Sequence, residues 1–463
     1  MNLLPSRGHR ASSVTTISSA GKYLTEKACA LLGQSLFANA GYLMGIYLVA
    51  SLTGFAFWGL AARLHRPEDV GIASAVISAV LLIAGIADLG MGAGLVRFLP
   101  EAPTPRRLLN TAFTLNTAAA LLFGGVFLVG LSFWSPSLIV LRKNGLVAVG
   151  FLVFVIFTTV GAAVRMAFVA RRQVLYGFIS ACVANGGRLV LVFLLASLGA
   201  QGLTAAWALA IALALALSFG FLPRVEPGYS LRPSFNWADW AAVVPFSMGN
   251  YVASLLTQTS QRILPLIILA MLGPASSAHA YVAWMLGGFL ASPGTTLASS
   301  AFAEGSNSPY RLKAILSKAV AVGIALTMLV ALFVGFAAPW LLQLFGPSYA
   351  REATGLLRWL ALAAPFAVLS QLYFTYLRVE KRMGRVIVLS GIVAAATLGT
   401  AFLLTPRIGI GAAGMGWLAA NVFVTAMALS NAPRRAVVND IVALYGKLPL
   451  RLDDATVSRV EPD

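Results

Sequence analysis

Two arginines stand where arginines are rarely tolerated. Arg188 lies near the middle of an apolar stretch running from Leu175 to Leu198, beside Asn185 and a Gly186-Gly187 pair, and Arg262 repeats the placement in a later stretch. A guanidinium at mid-bilayer depth costs between ~3 and ~15 kcal/mol, depending on how far it can snorkel. Such a residue survives only if it faces a wet cavity or a partner inside a helical bundle. Its planar fork of donors also suits phosphate oxygens. The chemistry on offer is therefore capture of a negatively charged group inside the membrane.

The residues around Arg262 share one helical face. With Asn250 set at 0° and about 100° per residue, Ser254, Thr257, Gln258, Gln261 and Pro265 fall between about −20° and 80°, and Arg262 at about 120°. A polar stripe of this kind faces the interior of a bundle, either as cavity lining or as hydrogen-bonding glue between helices. Arg262 tips the expectation toward the cavity. For Arg188, with Asn185 one turn earlier on the same face, the alternative is a buried pair with Asp88. Asp88 is the one carboxylate placed deep in a span, and it reads either as a coupling group for H⁺ or Na⁺ or as the counter-ion of an arginine in its own lobe. Arg97, Arg165 and Glu304 lie within a turn or so of the cytoplasmic ends, where snorkelling accounts for them, so they rank second. Gly186-Gly187 permits close approach or local unwinding, and Pro245, Pro265, Pro293 and Pro365 are candidate hinges.

The elements that must hold these side chains are membrane helices. Hydrophobic residues make up 59% of the chain and charged residues 10%, against roughly 25% charged in a soluble domain. The chain reads as all-α and polytopic. Cys29 and Cys182 lie far apart, and His9, His65 and His279 share no spacing, so neither a disulfide framework nor a metal centre is expected, nor any cofactor. The formal charge of +18 invites a nucleic-acid reading, which fails because the positive charges sit mostly in alternate loops. The N-terminus has basic residues and then a Ser/Thr run without an apolar core and cleavage site, so it reads as a cytoplasmic tail and not a secretory signal. Lys22 to Leu36 is amphipathic and is expected along the interface, in contact with membrane lipids.

A crossing helix needs about 20 apolar residues. Windows of that length give twelve spans, at about 39–62, 72–98, 108–132, 146–170, 174–198, 202–222, 240–272, 278–300, 311–338, 354–378, 385–405 and 410–430. With the N-terminus inside, 24 of the 33 Lys and Arg fall in cytoplasmic segments and 7 outside, leaving Arg188 and Arg262 in the bilayer. This positive-inside pattern places both termini in the cytoplasm. The chain also resembles itself: LAARLHRPEDVGIASAVIS (60–78) faces LAMLGPASSAHAYVAWML (269–286), RFLPEAPTPRRL (97–108) faces AFAEGSNSPYRL (301–312), and LGAQGLTAAWALA (198–210) faces IGIGAAGMGWLAA (408–420). Similar offsets of about 204–210 residues argue for duplicated halves. The expected organisation is a tail and interfacial helix (1–38), a six-helix lobe (39–222), a cytoplasmic linker (223–238), a second six-helix lobe (239–430) and a cytoplasmic tail (431–463).

Four segments carry a family resemblance: ARLHRPEDVGIASA (62–75), ADLGMGAGLVRFLPE (87–101), VPFSMGNYVASLLTQTSQRILPLIIL (244–269) and TPRIGIGAAGMGWLAAN (405–421). They resemble the polysaccharide-biosynthesis flippases of the multidrug/oligosaccharidyl-lipid/polysaccharide (MOP) exporter superfamily. The resemblance implies two six-helix bundles around a cavity that opens alternately to each side of the cytoplasmic membrane. It also implies a cargo, an undecaprenyl-diphosphate-linked oligosaccharide, and neighbours in polysaccharide assembly such as a polymerase or glycosyltransferases. Peptidoglycan-precursor flippases of the superfamily usually carry fourteen helices, against twelve spans here.

Three other functions compete. A cation-coupled multidrug exporter needs intramembrane carboxylates, and only Asp88 qualifies. A membrane glycan polymerase or transferase needs paired surface carboxylates or a sizeable loop, which the outside loops lack. There is no GxxxxGK[ST] for an ATPase, and RFLPEAPTPRR lacks the Gly–Asp–Arg–Gly pattern of major-facilitator transporters.

Overall fold

The structure, a computed structural model, describes residues 38–39, 41–307 and 312–431. The stretch 22–36 expected along the interface, and the expected cytoplasmic tail from 432 onward, lie outside the described residues. Twelve long helices account for most of the rest: α1 (Gly41–Leu64), α2 (Pro67–Ala87), α4 (Pro105–Val129), α7 (Gly145–Ala170), α8 (Val174–Leu194), α9 (Gly199–Val225), α10 (Trp237–Leu272), α11 (Pro274–Asn307), α12 (Leu312–Gln343), α13 (Pro347–Val379), α14 (Met383–Ile408) and α15 (Gly411–Asn431). Three short helices join them: α3 (Met91–Phe98), α5 (Leu131–Trp134) and α6 (Val140–Lys143). No strand occurs among the described residues.

Eleven of the long helices are apolar enough to cross a membrane. The exception is α11, the expected eighth span. It has the length, at 34 residues, but its Ser, Thr, Gly and Pro content lowers its apolarity. The expected second span is also not one helix. It breaks after Ala87, where Leu89 (φ 50°) and Gly90 (φ 78°) turn left-handed, and resumes as α3. The helix starts follow local chemistry. Proline opens α2, α4, α11 and α13, where its missing N–H costs nothing. Glu68 and Asp69 sit in the first turn of α2, favoured by the helix dipole. The Asn144 side chain caps α7 through the Leu146 N–H at 2.9 Å.

Two helix ends share one backbone geometry. At the end of α7 the Gln173 N–H bonds the Phe168 carbonyl at 2.8 Å and the Arg172 N–H bonds Val169 at 3.0 Å. At the end of α13 the Arg382 N–H bonds Leu377 at 2.8 Å and the Lys381 N–H bonds Arg378 at 3.1 Å. These are the same six-to-one, five-to-two cap, 209 residues apart, each with a basic residue at φ 56–57°. The position usually belongs to glycine. Here positive charge at a helix C-terminus, favoured by the dipole, offsets the left-handed strain. Gly199 (φ 55°), the first residue of α9, and Gly409 (φ 69°), two residues before α15, are likewise left-handed.

The chain forms two compact units: residues 1–64, 83–130 and 140–248, and residues 65–82, 131–139 and 249–463. In the first, Met91, Leu95, Leu109, Phe113, Val164, Phe168 and Leu222 form a core shared by α3, α4, α7 and α9. The segment between α9 and α10 is bound to this unit. Tyr229 is buried and its hydroxyl bonds Asn110 Oδ1 at 2.8 Å, while Arg171 grips Glu226 at 2.7 and 3.0 Å and Arg107 pairs with Asp239 at 3.1 Å. In the second unit, Ala253, Phe374, Leu377, Val386, Leu389 and Val424 gather α10, α13, α14 and α15. There α2 and α11 touch through backbone: a β-carbon on Gly71 would lie 1.8 Å from the Pro274 carbonyl oxygen, so only glycine fits.

Candidate functional site

Arg188 belongs to α8, in the first unit, and is 9% exposed. Asn185, one turn earlier, turns its carbonyl oxygen to the guanidinium, and its amide nitrogen is committed to the Ala181 carbonyl at 2.6 Å. Thr53 of α1 comes within 3.4 Å of the Arg188 Nη2 and 3.0 Å of the Asn185 oxygen. The Trp207 ring of α9 lies under the guanidinium, 4.6 Å from centroid to Cζ. Phe57 packs edge-on against Trp207 at 5.9 Å, and Trp58 lies 6.4 Å away. Three helices thus build one site around a cation from oxygens and a π face. A desolvated cation–π contact contributes about 2 kcal/mol, and a hydrogen bond to a charged group about 1.5–3 kcal/mol. The Gly186-Gly187 pair does not unwind α8, which runs unbroken; Gly187 instead sits near Ala210 of α9.

The second unit holds Arg262. Its Nη1 donates to the Leu81 carbonyl of α2 at 2.6 Å, and its Nη2 donates to Gln258 Oε1, one turn earlier on α10. The guanidinium therefore ties α10 to α2 through backbone, which is glue, while remaining part-exposed. Asn250, Gln258 and Gln261 are exposed, as a stripe requires. Thr257 returns its hydroxyl to the Ala253 carbonyl and lies 3.4 Å from Ser390 of α14. The helix continues through Pro265, whose carbonyl receives the Ser277 hydroxyl at 3.0 Å.

Asp88 sits in the break between α2 and α3. Its carboxylate accepts the Gly92 N–H at 3.2 and 3.4 Å, in the first turn of α3. Asn116 of α4 is fully buried, with its amide nitrogen 3.3 Å from the Ala87 and Asp88 carbonyls that end α2. Among the described residues no ion pair joins Asp88 to an arginine. Arg97 pairs with Glu101 at 3.4 Å on the surface. Arg165 is exposed on α7 with no hydrogen bond or ion pair among the described residues. Glu304 lies in α11, with its side chain outside the described residues.

The structure thus gathers Arg188 with Asn185, and Arg262 with Gln258, each pair inside one unit. Thr53, Trp207 and the Leu81 carbonyl escaped sequence reading. They come from other helices, and the only signal was Trp207 recurring as Trp417 in the repeat. Position 397, at the offset of the two caps from Arg188, is threonine.

Solved structures share this arrangement of helices. An inward-facing multidrug resistance MATE family transporter of the MOP superfamily superposes with a TM-score of 0.65 at 14% identity, over 86% of this chain and 96% of that one. The fold is that of the MOP-superfamily transporters. The lipid II flippase MurJ, in an inward closed conformation, matches with a TM-score of 0.67 at 11% identity, over 88% of this chain and 91% of that one. A MOP-superfamily transporter from Pyrococcus furiosus, whose reverse polarity of the binding pocket is held to suggest a different function, gives 0.57 at 13% identity, over 89% and 96%. The MatE family model matches residues 251–403. No curated protein matches the chain in sequence.

Proposed function

We propose that the protein is a flippase of the cytoplasmic membrane that moves an undecaprenyl-diphosphate-linked oligosaccharide by alternating access, with polysaccharide-assembly enzymes as its working partners. The observation that carries this reading is the charge inside the spans. Arg188 and Arg262 are cationic, while the one deep carboxylate, Asp88, turns to the backbone of α3. In a low-dielectric lumen such an excess attracts diphosphate strongly. Arg262 and the exposed Gln258, Gln261 and Asn250 line the path in the second half. Arg188 supplies a fixed positive centre in the first, and Asp88 is the candidate coupling group.

The MatE match to residues 251–403 favours a second reading, a cation-coupled multidrug exporter. The two differ in the sign of the cargo. Binding of a short-chain prenyl diphosphate to the purified protein separates them. The flippase reading expects binding that weakens with salt, is lost for the prenyl alcohol and falls at least about tenfold in Arg262→Gln, a change of roughly 1.4 kcal/mol. Equal affinity for diphosphate and alcohol would remove the flippase reading.

A further inference from the structure

The segment joining α9 to α10 is fixed to the first unit along its length. Residues 226–236 are not helical and run beside the first turns of α4. In addition to the Tyr229 bond, the Asn110 amide donates to the Ser230 carbonyl at 3.1 Å, and the Ser234 N–H donates to Thr114 Oγ1 at 3.1 Å. Arg106 donates to the Pro227 carbonyl. Asn236 then caps α10 by accepting the Asp239 N–H at 3.1 Å.

So held, the segment leaves apolar side chains uncovered. Leu231 is 59% exposed, Phe235 53% and Trp237 64%, and the Trp237 ring leans on Trp240 with centres 4.4 Å apart. The two acids of this stretch are already engaged, Glu226 by Arg171 and Asp239 by Arg107. Arg232, between Leu231 and Phe235, is exposed and has no hydrogen bond or ion pair among the described residues. Exposed Arg106 and Arg224 bond backbone carbonyls, which leave their charge uncompensated. Uncovered aromatics beside unpaired cations fit one surface, the boundary between acyl chains and anionic headgroups. The depth agrees. Asn110 and Thr114 lie five and nine residues after Pro105, about 7 and 13 Å along α4. That helix has 25 residues, so it is about 37 Å long against ~30 Å of hydrocarbon. Its bonds to Ser230 and Ser234 therefore reach below the headgroups, where interfacial segments sit.

We propose that residues 229–240 form a binding site for an anionic phospholipid, with Leu231, Phe235 and Trp237 among the acyl chains and Arg232 on the headgroup phosphate. The planar fork of a guanidinium suits phosphate oxygens. The distribution of lysine and arginine makes this the cytoplasmic leaflet. The connection between the two halves is on this view a lipid-bound part of the first unit. The site does not depend on which cargo is carried.

The test uses the full-length protein in phosphatidylcholine nanodiscs containing a minority of brominated-chain lipid, either phosphatidylglycerol or phosphatidylcholine. Bromine quenches tryptophan on contact, and the difference between wild type and Trp237→Phe isolates one of the nine tryptophans. That difference should be quenched about twofold or more better by brominated phosphatidylglycerol than by brominated phosphatidylcholine. In the same pair of proteins carrying Arg232→Gln, the preference should vanish while quenching itself persists. Both substituted side chains are exposed, so the variants keep the fold. A Trp237 signal that neither lipid quenches would put the segment in water or under a protein partner and overturn the proposal. Equal quenching by both lipids in wild type, or a preference unchanged by Arg232→Gln, would overturn it as well.

Discussion

The Arg188 guanidinium lies 4.6 Å from the centre of the Trp207 ring, with the Asn185 oxygen and the Thr53 hydroxyl at its edge. A charge deep in a span is here solvated by an aromatic face and neutral oxygens supplied by three helices. Each of these groups is itself uncharged, as the proposed anion site requires.

The π face and the charge separate by mutation. Trp207→Leu should lower the stability of the detergent-solubilised protein by about 1–2 kcal/mol, and Trp207→Phe by less, because indole is the best cation–π partner. Arg188→Lys keeps the charge but loses the fork, so it should fold and transport poorly. Thermal unfolding followed by fluorescence, beside transport by the same samples, checks both. Trp207→Leu with unchanged stability would mean that the ring does not hold the cation.

Asp88 serves backbone and, on the proposal, coupling. Asn keeps an acceptor for the Gly92 N–H, so Asp88→Asn should leave stability within about 0.5 kcal/mol of wild type, whereas Asp88→Ala should cost about 1 kcal/mol. If Asp88 binds the coupling ion, Asp88→Asn should uncouple transport from the proton or sodium gradient. Full gradient dependence in that variant excludes the role.

Tyr229 ties the segment before α10 to α4. Burial raises its phenol above the ordinary value, since the folded protein favours the neutral form. The stability this gives is complete below about pH 10, the value of a free tyrosine, and is lost as the pH rises through the higher folded value. Alkaline unfolding should therefore occur at higher pH in Tyr229→Phe, which cannot ionise. The same variant should lose about 1 kcal/mol at neutral pH with the hydrogen bond to Asn110. A wild-type alkaline transition unmoved in Tyr229→Phe would contradict this.

Sequence reading reached the helices because crossing a bilayer demands length and apolarity, and both are local. The polar stripe of α10 was legible for the same reason, being a matter of spacing along one helix. Sequence reading ran span 2 through Asp88 because Leu89 and Gly90 break the helix by backbone angle, with apolarity undiminished on either side. The partners of Arg188 and Arg262 were hidden because Thr53 and Trp207, and the Leu81 carbonyl, sit on other helices. A backbone carbonyl leaves no mark in a sequence at all. The matching caps of α7 and α13 were hidden too, since their likeness lies in backbone angles and not in residue identity.

The sign of the cargo decides between flippase and exporter. Proteoliposomes containing the protein, loaded on one leaflet with undecaprenyl-diphosphate-linked oligosaccharide, measure it through the rate at which the sugar becomes accessible on the other leaflet. Wild type should accelerate that movement, and Arg188→Ala at matched abundance should not. Vesicles that leave the lipid-linked sugar in place yet extrude a cationic dye down an ion gradient would contradict the flippase reading.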